Sequence, residues 1–153
     1  MATLYCTPSY DSILKLAVTE QDKTTLMGNQ PADSYATLTL TDDDVEKMRL
    51  EEHTWSISST GITLTARGAA DSVGISSGHN NKDAMDLEIS IMAQVIRQFL
   101  RRNKTHTDYD KWNTYLTNIT SIDTSSLTFP YAKTINRHLK DNNLPYYSLL
   151  ELP

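Results

Sequence analysis

Residues 82–103, KDAMDLEISIMAQVIRQFLRRN, form the longest periodic run in the sequence, and neither glycine nor proline interrupts it. Such a run predicts one long amphipathic helix. Five apolar residues recur at alternating spacings of four and three, as along a coiled-coil seam: Met85, Ile89, Met92, Ile96 and Phe99. A second set, Leu87, Ile91 and Val95, recurs every four residues. Together the two stripes span an apolar arc of roughly 200°, which only Glu88 interrupts.

This arc is wider than the roughly 100° that a helix on the surface of a small domain needs. The helix is therefore predicted either to be buried between a small sheet and C-terminal helices, or to turn one stripe toward another subunit. The Met85–Phe99 stripe is a core candidate first and an interface candidate second. Acidic residues crowd the first turns and basic residues the last, which suits the helix dipole: Asp83, Asp86 and Glu88, then Arg97, Arg101, Arg102 and Lys104.

Length and composition bound the class of protein. At 153 residues and 39% hydrophobic content, the chain suits one domain, or one small domain with extended arms. The net charge of −5 argues against a DNA-binding surface, so no nucleic-acid partner is predicted. No apolar run is long enough to span a membrane and no signal peptide is recognisable, so no membrane partner is predicted. Cys6 is the single cysteine, which rules out a disulfide framework within the chain.

The N-terminal half is predicted to be β-rich. Residues 1–20 are interpreted as an arm, with an extended piece ended by Pro8, then a short turn or strand. Residues 21–67 form a small β-rich subdomain with a strand at 35–40 and a hairpin at 54–67. Between them, Thr41 and Asp44 predict a capped short helix. These strands are expected to form one antiparallel sheet of three or more strands that the long helix covers.

The C-terminal half is predicted to be helical. Residues 68–81 are a Gly/Ser-rich linker, and residues 82–143 hold the long helix and two shorter ones. The first of these is capped at Thr107 and the second begins at Pro130. The tail at 144–153 is too apolar for a free end, so it packs on its own helices or inserts into a neighbour. The fold class is therefore α+β, a small antiparallel sheet packed on a long central helix and followed by two shorter helices.

The sequence carries no catalytic signature. His53-Thr54 and His106-Thr107 differ from the His-x-Thr pattern of two-histidine phosphoesterases, because adjacent side chains in a strand point to opposite faces. Two groups of residues fit helix capping better than metal binding: Asp42–Asp44, and His106 with Asp108 and Asp110. The 68–81 loop lacks the Gly-Lys-Ser/Thr of a phosphate-binding loop. No catalytic, cofactor-binding or metal-binding residue is assigned, and a non-enzymatic protein without cofactors is predicted.

The overall character of the chain resembles small accessory proteins of tailed-phage virions. The hairpin residues TWSIS (54–58), the Gly/Ser linker and the aromatic, proline-terminated tail YYSLLELP (146–153) carry this resemblance. It implies a structural role in a virus particle, in its tail, baseplate or neck, with synthesis in a bacterial cytoplasm. The implied partners are other structural proteins of the particle, together with further copies of the chain in a homo-oligomer.

The predicted interface combines the two arms with the longer stripe of the helix: Leu4, Tyr5, Met85, Ile89, Met92, Ile96, Phe99, Tyr146, Tyr147, Leu149, Leu150 and Leu152. Two alternatives remain open. The chain is an assembly chaperone or adaptor that is absent from the finished particle. Otherwise it is a host-directed inhibitor that binds a small ligand or a protein through the 68–81 loop.

Overall fold

The structure is a computed structural model that describes residues 1–67 and 78–153. The chain divides into two compact units, the first comprising Met1–Ala66 with Ser148–Pro153 and the second Arg67–Tyr147. Among the described residues, the antiparallel strands lie in the first unit and the long helix lies in the second. The predicted α+β class is confirmed. Most of the predicted 68–81 linker, residues 68–77, lies outside the described residues.

The first unit is built on a three-stranded antiparallel sheet. Its strands are β1 (Ala2–Cys6), β2 (Ile13–Ala17) and β3 (Ala36–Leu40), in the order β2-β1-β3. In β1, Leu4 pairs with residues of both neighbouring strands and is fully buried. The interpretation of residues 1–20 as an arm is therefore wrong, because the extended N-terminal piece is the central strand of this sheet.

Two capped helices accompany this sheet. Helix α1 (Glu20–Met27) was not predicted, whereas α2 (Asp42–Leu50) was. Both begin with a capping box: Asp22 and Asp44 donate backbone N–H groups at 3.1 Å to the hydroxyls of Thr19 and Thr41. Each aspartate carboxylate in turn accepts the threonine N–H. These bonds satisfy amide groups that the first helical turn leaves without partners.

The predicted hairpin is present but belongs to a second sheet. Strands β4 (His53–Ser58) and β5 (Gly61–Ala66) pair with each other and, within the described part of the chain, with no other strand. Trp55 lies opposite Leu64. Gly61 has a φ of 150°, a conformation that residues with a side chain rarely adopt. The prediction of one sheet containing the 35–40 strand and the hairpin is wrong, because β3 instead pairs with β1.

The second unit is helical. Its helices are α3 (Lys82–Arg102), α4 (Tyr109–Thr120) and α5 (Ile135–Asp141), and α3 packs on α4. The bounds of α3 agree with prediction to within one residue. Helix α5 begins later than the predicted start at Pro130, because the Thr134 hydroxyl caps it by accepting the Arg137 N–H at 3.1 Å. None of the described helices is long and apolar enough to cross a bilayer.

The C-terminal tail is divided between the units. Tyr147 packs its ring against Trp112 and Tyr115 of α4. The following 3₁₀ turn, Leu149–Glu151, instead belongs to the first unit. There Leu150 packs against the core of the sheet. The tail thus packs on its own chain, partly on the helices as predicted and partly on the sheet.

Candidate protein-interaction surface

Helix α3 exposes a row of apolar side chains to solvent. Leu87, Ile91 and Val95 are 61%, 54% and 40% exposed. Spaced four residues apart, they lie one above the other on a single face of the helix. We call these three residues the exposed α3 stripe. Isolated surface leucines are ordinary, but a continuous apolar row on a rigid helix is typical of a binding surface.

The opposite side of α3 is held in the core. The longer apolar stripe is at most 9% exposed: Met85, Ile89, Met92, Ile96 and Phe99. Ala93 and Leu100 are also buried on this side. Burial of this side, with packing on α4, fixes the rotation of the helix about its axis, and the exposed α3 stripe therefore stays turned toward solvent.

Polar contacts hold the N-terminal end of α3. The Asn81 side chain caps the helix by accepting the Ala84 N–H at 2.8 Å. Asp86 accepts hydrogen bonds from Lys82 Nζ at 2.7 Å and from Thr124 Oγ1 at 2.6 Å. The bond from Lys82 is the main reason that the pKa of Asp86 is lowered, and the Thr124 bond adds to it. These bonds link the start of the helix to the segment that follows α4.

A buried histidine adds a further anchor beside this end of α3. His79 Nε2 hydrogen-bonds the Glu88 carboxylate. The backbone of His79 also exchanges two N–H···O bonds with Tyr131, each at 2.8 Å. This contact ties the residues before α3 to the segment before α5. No sequence signal identified His79, because Glu88 lies beyond the start of α3 and Tyr131 lies far along the chain.

Charge is distributed unevenly along α3. Asp83 lies exposed in the first turn, whereas Arg97, Arg101 and Arg102 are exposed near the C-terminal end. Within residues 1–67 and 78–153, no ion pair involves these three arginines. The exposed α3 stripe therefore runs between an acidic end and a basic end.

The residues predicted for the interface are mostly buried. The Met85–Phe99 stripe, Leu4 and Tyr5 belong to the core, and Leu152 is buried as well. Tyr146, Tyr147, Leu149 and Leu150 are partly buried in contacts of the tail with its own chain. The side chains that α3 does present are Leu87, Ile91 and Val95, which form the neighbouring stripe in the sequence and are not among the predicted interface residues.

A cavity of about 180 Å³ lies between α4 and α5. His138 lines it and hydrogen-bonds the Tyr131 hydroxyl through Nδ1 at 2.6 Å. Burial, assisted by the positive charge of Lys133, lowers the pKa of His138. Asn118 also lines the cavity, and its amide nitrogen is buried without a hydrogen-bond partner among the described residues. These groups could bind a small polar molecule but do not define a reaction.

The residues tested for metal or phosphate chemistry have structural contacts. His106 accepts the Asp108 N–H at 3.0 Å and packs its ring against Phe99. Asp44 caps α2, and Asp43 pairs with Lys47 at 2.8 Å. Across the two described ranges, no three His, Cys, Asp or Glu side chains are placed to hold a metal ion.

Comparison of the chain with protein-family models, with curated proteins and with solved structures found no match.

Proposed function

We propose that this chain is a non-enzymatic structural protein that joins protein chains through the exposed α3 stripe. The observation that carries the proposal is the solvent exposure of Leu87, Ile91 and Val95 on one face of the long helix. Covering such apolar area with a partner removes it from water and stabilises the complex by about 25 cal/mol per Å² before the costs of association. A helix held rigidly by its opposite face loses little further freedom on binding.

The setting that we propose is a virus particle. The chain would join other structural proteins of a tail, baseplate or neck, as the resemblance to small accessory proteins of tailed phages implies. An assembly chaperone or adaptor would use the same surface and leave before the particle is complete. The inhibitor alternative depends on the 68–81 loop, most of which lies outside the described residues.

Substitution within the stripe tests the proposal directly. Ile91→Glu places a carboxylate at the centre of the exposed α3 stripe, where a bound partner would bury it without compensation. Ser90→Glu adds the same charge at an exposed position about 100° around the helix and serves as the matched control. Both sites are exposed, so circular dichroism should show that each variant keeps its helix content.

The readout is binding of the tagged chain to itself and to purified particle proteins, measured by sedimentation and by affinity capture. We expect the unsubstituted chain and Ser90→Glu to bind either a second copy or one of the particle proteins. Ile91→Glu should lose that binding. A chain that stays monomeric at micromolar concentration and binds no particle protein would contradict the proposal. Mass spectrometry of finished particles then separates a structural component, which is present, from a chaperone, which is absent.

A further inference from the structure

We infer that the exposed α3 stripe binds a second copy of this chain, with the two α3 helices antiparallel and Ile91 at the two-fold axis. This inference rests on the proposed function and names its partner. It follows from two features of the same helix face, which are the symmetric spacing of the apolar stripe and the placement of charges at its ends.

The stripe is symmetric about Ile91. Leu87 precedes Ile91 by four residues, and Val95 follows it by four. When two such helices pair antiparallel about a two-fold axis at Ile91, Leu87 of each copy meets Val95 of the other. The two isoleucines meet at the centre. A two-fold interface of this kind requires a self-complementary surface, and this spacing provides one.

The charges favour the same orientation. Asp83 and Arg101 are separated by about five full helical turns, so both side chains point to the same flank of the stripe. In the antiparallel pair, Asp83 of one copy lies within about 3 Å, along the helix axis, of the level of Arg101 of the other. A parallel pair would gather the two acidic ends at one end of the dimer and the two basic ends at the other. Because like charges brought together repel, the antiparallel arrangement is favoured.

The size of the surface sets the strength expected of the dimer. Helix α3 has 21 residues and is therefore about 31 Å long. One helix face with three exposed apolar side chains lies at the small end of specific protein interfaces. We therefore expect association in the micromolar range, with monomer predominating in dilute solution.

Analytical ultracentrifugation of the full chain over a concentration series tests association. We expect the weight-average mass to rise from one chain toward two, with Ile91→Glu raising the dissociation constant at least about 100-fold, since both copies carry the charge. Ser90→Glu should weaken the dimer far less, because its carboxylate lies about 100° around the helix and stays in solvent at the edge of the pair. An equal loss in both variants, or no loss in Ile91→Glu, would overturn the inference.

Disulfide cross-linking under mild oxidation tests orientation. Leu87→Cys and Val95→Cys are each prepared in a Cys6→Ala background, then oxidised separately and as a mixture. An antiparallel pair yields a cross-linked dimer in the mixture and far less in either sample alone, because residue 87 meets residue 95 of the other copy. Links within one chain are excluded, because each variant carries a single cysteine once Cys6 is replaced.

The outcomes separate this inference from the proposed function. Cross-links that form equally within each single variant indicate a parallel pair and overturn the inference. A monomeric chain that still binds a particle protein, with the binding lost in Ile91→Glu, also overturns it but leaves the proposed function standing. A monomeric chain that binds no particle protein removes both.

Discussion

Glu151 is a buried carboxylate whose charge is balanced by one side chain from α2. Arg49 donates to both carboxylate oxygens, at 2.9 and 2.5 Å, and Glu151 also accepts the Ser148 N–H at 2.8 Å. Only 3% of the Glu151 side chain is exposed. A carboxylate desolvated to this degree depends on its partner, since removing one member of a buried pair leaves the other charge uncompensated.

We therefore expect Arg49→Met to lower the free energy of unfolding by about 2–4 kcal/mol. Lys47→Met provides the control, because Lys47 lies on the same helix but forms an exposed pair with Asp43 that contributes little. Urea denaturation, followed by circular dichroism, measures both variants. Similar losses in the two would show that the contact to Glu151 does not stabilise the first unit.

Because the pKa of His138 is lowered in the folded chain, we expect the free energy of unfolding to depend on pH under mildly acidic conditions. Burial, and secondarily the charge of Lys133, lowers its folded pKa below the ordinary value of 6.5. Between the folded pKa and 6.5 the unfolded chain binds more protons, so stability rises with pH and is lost as pH falls through this window. We expect His138→Gln to flatten the slope of unfolding free energy against pH between about 7 and 5. Equal slopes in both proteins would contradict this prediction.

At the scale of elements, a buried hydrogen-bond chain links α4, α5 and the segment after α5. Tyr115 donates its hydroxyl to Asn136 Oδ1 at 2.6 Å, and Asn136 donates Nδ2 to the Tyr147 carbonyl at 2.9 Å. Tyr115 and Asn136 are both buried. Both bonds are shielded from water, at least in part, and the loss of a hydrogen bond in such a setting costs about 1–3 kcal/mol.

Removing one hydroxyl tests this chain of bonds. We expect Tyr115→Phe to lower stability by about 1–2 kcal/mol, because it deprives Asn136 of a donor in a site that water does not reach. Tyr109→Phe, on the same helix, is the control, since none of the described hydrogen bonds uses the Tyr109 hydroxyl. Thermal unfolding compares the two, and a loss no larger for Tyr115→Phe would contradict the assigned role.

Elements with local signals were predicted from sequence, and elements that depend on distant partners were not. Helix α2 and the β4–β5 hairpin are encoded by a capping box and a turn within a few residues. Helix α1 has the same kind of box at Thr19 and Asp22, but residues 20–27 lack an apolar period. The central position of β1 depends on pairing with β3, which follows only after β2 and α1, and no local pattern reveals such a pairing.

The exposed α3 stripe was recognised in the sequence as apolar but not as the exposed side of the helix. The period of α3 identified both apolar stripes, because helical spacing is a local property. Which stripe is buried depends on where the rest of the chain packs, and a local pattern does not determine this tertiary packing. The longer stripe, with two methionines and Phe99, occupies the core, so the shorter Leu87–Val95 stripe is the one exposed.

At the scale of the whole molecule, the end of the chain completes a unit that begins at its first residue. Ser148–Pro153 belongs to the unit formed by Met1–Ala66, although the intervening segment, Arg67–Tyr147, forms the second unit. Lys15 Nζ donates to the Leu152 carbonyl at 2.8 Å, and burial lowers the pKa of this lysine. The first unit is therefore complete only when both ends of the described chain have come together.

A chain ending at Tyr147 would test this arrangement. It loses the Glu151 partner of Arg49, the Leu152 partner of Lys15 and the packing of Leu150 on the sheet core. We expect hydrogen exchange to speed up at least about tenfold in β1–β3, which corresponds to about 1.4 kcal/mol of lost protection. The amides of α3 and α4 should change less, because their bonds lie within the second unit. A chain lacking only Pro153 is the control, and unchanged protection of β1–β3 in the longer deletion would show that the sheet is stable without the tail.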